Sequence, residues 1–157
     1  MFGWICLLSI VIGIVGCQSS NTVNGPVEGS PIKDIRVSAI TDFIPDPAVA
    51  DRIQLKALIE LLDKNGVSIK APCRLRFEFY EFHPLSSDPR GQRLLIWPNQ
   101  DLSDPDINSK HWEKFLRGYE FLLPFGMVLQ NGNKYILEVT CLAGQERYSD
   151  LFKMEYP

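Results

Sequence analysis

The run LIELLDKNGVSIKAPCRLRFEFYEF, residues 58–82, decides the fold class of this chain. It begins inside a stretch, residues 53–61, in which every odd position is apolar. Asp63-Lys64-Asn65-Gly66 then supplies turn chemistry, because Asn-Gly tolerates the positive φ of a tight hairpin. In residues 73–82 apolar side chains again alternate with charged or polar ones. A period of two predicts strands, so the run predicts antiparallel strands joined by a hairpin.

The same alternation recurs along the rest of the chain, with a second strong turn at residues 130–133. It predicts strands over 35–39, 67–70, 94–97, 115–123, 135–143 and around 152–156. The strands are joined by Gly, Asn, Asp and Pro. We therefore predict an all-β chain, an antiparallel β-sandwich of seven to eight strands that is immunoglobulin-, transthyretin- or C2-like.

Two segments also have helical character. Residues 48–62, AVADRIQLKALIELL, contain good helix formers, and Val49, Ile53 and Leu58 partly fit helical spacing. We favour a strand here because the Asn-Gly turn follows directly. Residues 107–114 are expected to hold one short helical turn.

The N-terminus carries an apolar stretch, residues 4–15, that ends in Ile14-Val15-Gly16-Cys17. It is too short to span a bilayer core and has the length of a signal segment. The pattern resembles the lipobox of bacterial lipoproteins, in which the peptide is cut before the cysteine and the thiol carries a diacylglycerol. The resemblance implies a signal peptide over 1–16, lipidation of Cys17 and a membrane anchor made of acyl chains, each methylene contributing roughly 0.8 kcal/mol.

A polar segment rich in Gly, Ser and Pro follows the lipobox. We interpret residues 17–31 as the lipidated cysteine and a flexible linker with a reach of roughly 20 Å, and residues 32–157 as the β-sandwich domain. By resemblance to lipoproteins of double-membrane bacteria, Gln18 after the cysteine favours the outer membrane, on its periplasmic side. The expected location is the bacterial cell envelope.

Composition and cysteine usage narrow the function classes. A net charge of −3 and a pI of about 5.4 argue against a nucleic-acid partner, which requires a basic face. Cys73 and Cys141 both fall on the apolar face of their strands. They form either a core disulfide, which in an oxidising compartment adds about 4 kcal/mol, or two separate buried thiols.

Candidate catalytic and metal-binding residues are few. His83 and His111 are expected in exposed loops, and no Gly-x-Ser-x-Gly elbow or zinc spacing occurs. We expect a non-enzyme without a cofactor. Weak calcium candidates lie in two acidic loops, although Asp-Pro turn chemistry explains them equally well; they are Asp42, Asp46, Asp101, Asp104 and Asp106.

Most aromatic residues fall on apolar faces and are expected in the core. Tyr80, Trp97 and Trp112 are expected to be partly exposed. The stretch Arg74, Arg76 and Glu78 is interpreted as a solvated face.

Lipobox, short linker and small sandwich together resemble a broad group of small bacterial lipoproteins. Their architecture is similar to that of the outer-membrane lipoprotein of type VI secretion, a lipidated sandwich that docks a membrane-spanning partner. No motif within residues 32–157 matches that family, so no binding residue is carried over. The resemblance implies a non-enzymatic, membrane-anchored module that binds an envelope protein or supports envelope structure. The alternative is a sandwich that binds calcium, carbohydrate or a lipid headgroup.

Overall fold

The computed structural model describes residues 30–50 and 52–157. The predicted signal peptide, Cys17 and most of the predicted linker lie outside the described residues. Within them, eleven strands and one short helix follow one another in this order: Asp34–Val37 (β1), Asp42–Pro45 (β2), Ile53–Leu62 (β3), Ser68–Ile69 (β4), Arg74–Phe82 (β5), Arg90–Ile96 (β6), Gln100–Asp101 (β7), Pro105–His111 (α1), Trp112–Glu113 (β8), Gly118–Pro124 (β9), Lys134–Ala143 (β10) and Glu146–Glu155 (β11).

The strands form two antiparallel sheets, which confirms the predicted antiparallel β-sandwich. One sheet has the order β1-β3-β9-β8, with β2 and β4 also pairing with β3. The other has the order β11-β10-β5-β6, with β7 pairing with β5. Eight of the eleven strands have four or more residues, in line with the predicted seven to eight, and β4, β7 and β8 have two each.

The core lies between the two sheets and follows from the alternation in the sequence. In β5 the side chains of Leu75, Phe77 and Phe79 are buried, and their partners in β10 are buried on the same face. Phe77 reaches across to Phe121 of the opposite sheet, with ring centroids 5.1 Å apart. Close-packed aromatic contacts of this kind stabilise a sandwich beyond their buried area.

The strand β3 gives the sandwich two ends. The backbone N–H of Lys33 donates to the Leu62 carbonyl at 2.7 Å, so the chain enters where β3 finishes. We call this the proximal end. At the other end of β3, Pro124 of β9 pairs with Gln54. The loops β2–β3, β5–β6 and β9–β10 therefore lie at this opposite end, which we call the distal end.

Two expectations about single elements are confirmed. Residues 53–62 form the strand β3 and not a helix, since β9 on one side and β1 and β2 on the other pair with its backbone. The short helical turn is α1, whose N-terminal N–H groups at Asp106 and Ile107 donate to the side chain of Asp104. An Asp cap followed by Pro105 is a typical helix start.

Other expectations were wrong. The strand predicted over 115–123 begins only at Gly118, and Phe115 is 98% exposed in the turn before it. Trp97 is buried, because its Nε1–H donates to the Pro124 carbonyl at 2.8 Å and its ring packs against Phe125. The strand β2 was not predicted, because its sequence, DFIP, ends in the Pro-rich signal of a turn.

A buried polar network fixes the proximal end. The Tyr119 hydroxyl accepts a hydrogen bond from the Ala71 N–H at 2.9 Å and lies 3.1 Å from Asn108 Oδ1. Asn108 Nδ2 donates to the carbonyls of Leu102 and Ala71. These contacts join β9, α1 and the segment before β5. Buried polar groups in such a network depend on one another for hydrogen bonds.

Replacing Tyr119 with Phe removes the hydroxyl and leaves the Ala71 N–H and Asn108 Oδ1 without a partner. We expect the free energy of unfolding to fall by about 1–3 kcal/mol. Urea denaturation followed by circular dichroism measures the change. Tyr156→Phe is the matched control, because the Tyr156 hydroxyl makes no hydrogen bond to a described residue. Equal stabilities of the two variants would contradict the role of the network.

Candidate functional site

The two cysteines of the sandwich lie next to one another in the core. Both are free thiols, Cys73 just before β5 and Cys141 in β10, and both are buried. The register pairs Cys141 with Leu75, which places Cys73 diagonally across on the same face. The hydrogen bond that the Cys73 thiol donates to Cys141, together with burial, raises the pKa of Cys73. A protonated buried thiol is a weak nucleophile, and a bond between the two sulfurs stays a prediction.

The five calcium candidates are spread over β2, the loop after it, β7 and the start of α1. Asp42 accepts from the Phe43 N–H, and Asp46 accepts from the Ala48 N–H. Asp101 accepts from the Ser103 N–H, whereas Asp104 caps α1. Asp106 lies in the first turn of that helix. Among the described residues, no group of three or more His, Cys, Asp or Glu side chains is placed to hold a metal ion.

The two histidines occupy different environments. His83 is exposed in the β5–β6 loop, as predicted. The expectation for His111 was wrong, because it is half-buried at the end of α1. Its Nδ1 lies 3.0 Å from the Glu120 carbonyl, and its ring stacks on Phe121 with centroids 4.5 Å apart. These contacts give His111 a packing role at the edge of the core.

The outer face of the five-stranded sheet carries an ionic cluster, which we define as Glu78 and Glu138 with Arg76, Arg90 and Arg93. Glu78 and Glu138 are register partners in β5 and β10, and both are about 95% buried. Their burial makes the interpretation of Glu78 as part of a solvated face wrong. The long arginine side chains cover the carboxylates and keep their own charges near water.

Each glutamate of the ionic cluster is paired with arginine. Glu78 Oε1 accepts from Arg93 Nη1 at 2.8 Å and from Arg76 Nη2 at 2.9 Å. Glu138 accepts from Arg90 Nη1 with both carboxylate oxygens, each at 2.9 Å. Without these cations, two carboxylates in directly opposed positions would repel.

The charge state of Glu78 limits what the ionic cluster does chemically. Burial by itself raises the pKa of this carboxyl, but the hydrogen bonds from Arg93 and Arg76 outweigh it, and the pKa is lowered. A general acid at neutral pH needs a raised pKa. Glu78 is therefore suited to holding the register of β5 and β10 and not to acting as a general acid.

Apart from Phe115, the two most exposed large apolar side chains among the described residues lie at the distal end. Leu85 in the β5–β6 loop is fully exposed, and Val128 in the β9–β10 loop is 90% exposed. Met127 and, in the β2–β3 loop, Val49 are partly exposed. We call these four side chains the distal loop surface. The four side chains lie in loops at one end of the sandwich, and exposed apolar groups at one end of a small domain are candidates for an interaction site.

A pocket opens beside the distal loop surface. It has a volume of about 240 Å³ and is lined by Arg52, Ile53, Tyr156 and residues 125–129. A pocket of this volume, lined by apolar residues and Arg52, has room for one side chain of another protein. Leu85 has a positive φ of 63°, a conformation that costs a non-glycine residue free energy. Strain of this kind is often found at functional loops.

The sequence contains a signal for the distal loop surface that the periodicity argument passed over. The loops HPLSSDPRG and FGMVLQNGN each place a large apolar residue within turn-forming residues. In the first loop Leu85 is fully exposed, whereas in the second loop Phe125 and Leu129 are buried in the core and Met127 and Val128 are exposed. An apolar side chain in a turn therefore indicates an exposed contact only where the structure leaves it uncovered.

No family model, curated protein sequence or solved structure matches this chain. The choice among an immunoglobulin-, transthyretin- or C2-like sandwich stays a prediction. None of the helices in the described part of the chain has the length and apolarity to cross a membrane.

The buried thiols give a prediction about labelling. We expect a polar alkylating reagent to leave Cys73 and Cys141 unmodified in the native protein, because both are buried in the core. After unfolding without reductant, mass mapping of the peptides that contain Cys73 and Cys141 then distinguishes two thiols, which each gain an adduct, from a disulfide, in which neither does. Rapid labelling of the native protein at neutral pH would contradict the placement of the pair.

The ionic cluster gives a prediction about pH. The pKa of Glu78 is lowered by folding, so ionised Glu78 adds to the free energy of unfolding at pH values above the ordinary glutamate pKa of about 4.3. This contribution is lost as the pH falls through the pKa that Glu78 has in the folded protein. We expect Glu78→Gln to lower the free energy of unfolding by about 1–3 kcal/mol at neutral pH. The difference from the wild type should shrink in acid. Glu81→Gln, an exposed position on the same strand, is the control, and a pH-independent difference would contradict the assignment.

Proposed function

We propose that this chain is an extracytoplasmic lipoprotein, anchored to a bacterial envelope membrane through Cys17, that binds an envelope protein with its distal loop surface. The proposal joins the lipobox Ile14-Val15-Gly16-Cys17 to the geometry of the sandwich. It describes a non-enzymatic binding module, with the outer membrane facing the periplasm as the favoured location.

The observation that carries this proposal is the position of the exposed apolar side chains relative to the point where the chain enters the sandwich. Lys33 and Asp34 pair with Leu62 at the proximal end. Leu85 and Val128 lie in loops at the opposite end. A tether that enters at the proximal end leaves the distal loop surface directed away from the anchor. That surface is then accessible to a partner in the aqueous compartment.

The size of the distal loop surface suits a hot-spot contact. A few large side chains in well-packed pockets provide most of the binding free energy in protein interfaces. Leu85 and Val128 are exposed in the β5–β6 and β9–β10 loops, and the neighbouring pocket can receive a partner's anchor residue. In the ionic cluster, which lies on a sheet face, the carboxylates are already paired with arginines. It is therefore a weaker candidate than the distal loop surface for the contact with a partner protein.

Site-specific photocrosslinking in cells tests the binding surface. A crosslinker at position 85 or 128 should give one protein adduct, identified by mass spectrometry, that the same crosslinker at position 122 does not give. Leu122 is the matched control because it is exposed on the outer face of a sheet. Val128→Asp should reduce the adduct formed from position 85 by about tenfold. Equal adducts from all three positions would contradict the proposal.

The anchor is tested separately with Cys17→Ser. We expect the wild type to be cut before Cys17, to gain the mass of its acyl chains and to partition into detergent. The variant should do none of these. Identical mass and partitioning of the two proteins would remove the tether from the proposal.

A further inference from the structure

We propose that the turn between β8 and β9, residues 114–117, inserts into the surface of the membrane that carries the lipid anchor. We call this turn the hairpin tip. The membrane that the hairpin tip contacts is a phospholipid bilayer with anionic headgroups. The inference rests on the proposed lipidation of Cys17 and adds an orientation: the proximal end of the sandwich lies against the bilayer.

The hairpin tip exposes side chains that have no partner in the sandwich. Phe115 is 98% exposed and Leu116 is 43% exposed. No other described phenylalanine is exposed to solvent in this way. An aromatic and an aliphatic side chain side by side at the end of a hairpin are placed to enter the interfacial layer of a bilayer.

The charges around the hairpin tip complement anionic headgroups. Lys114 and Arg117 flank the two apolar residues, and Lys110 lies in the last turn of α1 next to them. Glu113 is the one acidic residue between positions 110 and 117. Asp104 and Asp106 sit at the other end of α1. Basic residues near an anionic membrane surface each contribute favourably to binding.

The backbone holds the hairpin tip in a defined shape. Arg117 has a positive φ of 52°, and its Nη2 donates to the Ser68 carbonyl at 2.9 Å. Ser68 is the register partner of Leu62, the residue that also accepts from Lys33. The hairpin tip is therefore fixed at the same end of β3 at which the chain enters.

The length of chain before the sandwich agrees with this orientation. Twelve residues lie between Cys17 and Ser30, and a linker of that length would span roughly 20 Å. At Leu62, β3 pairs with the entering strand β1 and with β4, and neighbouring strands lie about 4.8 Å apart. The lipid anchor and the hairpin tip can therefore reach one bilayer surface together.

Fluorescence quenching in vesicles tests the proposal on the full, lipidated chain. Phe115→Trp and Val128→Trp place a reporter at two similarly exposed positions on opposite ends of the sandwich. Each variant is reconstituted into phosphatidylglycerol and phosphatidylethanolamine vesicles with brominated acyl chains. After the wild-type signal is subtracted, the bromine atoms should lower the tryptophan emission of Phe115→Trp by about twofold. They should leave the emission of Val128→Trp unchanged. Intact mass of the same samples shows whether Cys17 is lipidated.

The outcomes separate this inference from the proposed function. A lipidated sample with no quenching at position 115, or with equal quenching at both positions, overturns the inference alone. A sample without acyl chains contradicts the proposed function. Its binding to the same vesicles is then measured by sedimentation, and absence of binding overturns the hairpin tip as well. A photocrosslinker at position 115 that gives a protein adduct and no lipid adduct in cells also overturns it.

Discussion

The backbone pairing of β3 is the constraint on which the rest of the structure depends. Four other strands, β1, β2, β4 and β9, hydrogen-bond to its ten residues, and both of its edges are used. Because β3 runs the full length of the sandwich, it sets the distance between the proximal and distal ends. It also contributes a continuous row of buried side chains to the core. An error in its register would therefore displace the chain entry and most of the six-stranded sheet at once.

The second sheet is held by a different balance of forces. Its inner face follows apolar alternation, whereas its outer face buries Glu78 and Glu138 beneath arginine side chains. A buried carboxylate is costly without a partner, and removing one partner costs more than the pair gains. The ionic cluster therefore acts as a register device between β5 and β10, since a shift of one residue would bury the carboxylates among apolar groups.

The two ends of the sandwich differ from its faces in how they use apolar side chains. The non-glycine residues with positive φ in the described part of the chain are Leu85 and Arg117, one at each end. Each sits in a turn that exposes large apolar side chains to solvent. A tethered domain needs one end toward its membrane and one end toward its partners. The proposals for the distal loop surface and for the hairpin tip assign these two roles.

The sequence by itself determined the fold class, because apolar residues alternate with a period of two over 53–61, 73–82 and 135–143. A segment with this pattern buries its apolar side chains on one face when it is a strand. The sequence also predicted a short helical turn over 107–114, which the structure places at Pro105–His111. Only the tertiary structure decided the rest: that Glu78 lies opposite Glu138, that Trp97 reaches the Pro124 carbonyl, and that Phe115 projects from a turn. Local patterns record which face of a strand is apolar. They do not record which distant strand supplies its partner or which loop remains uncovered, because those depend on contacts between residues far apart in sequence.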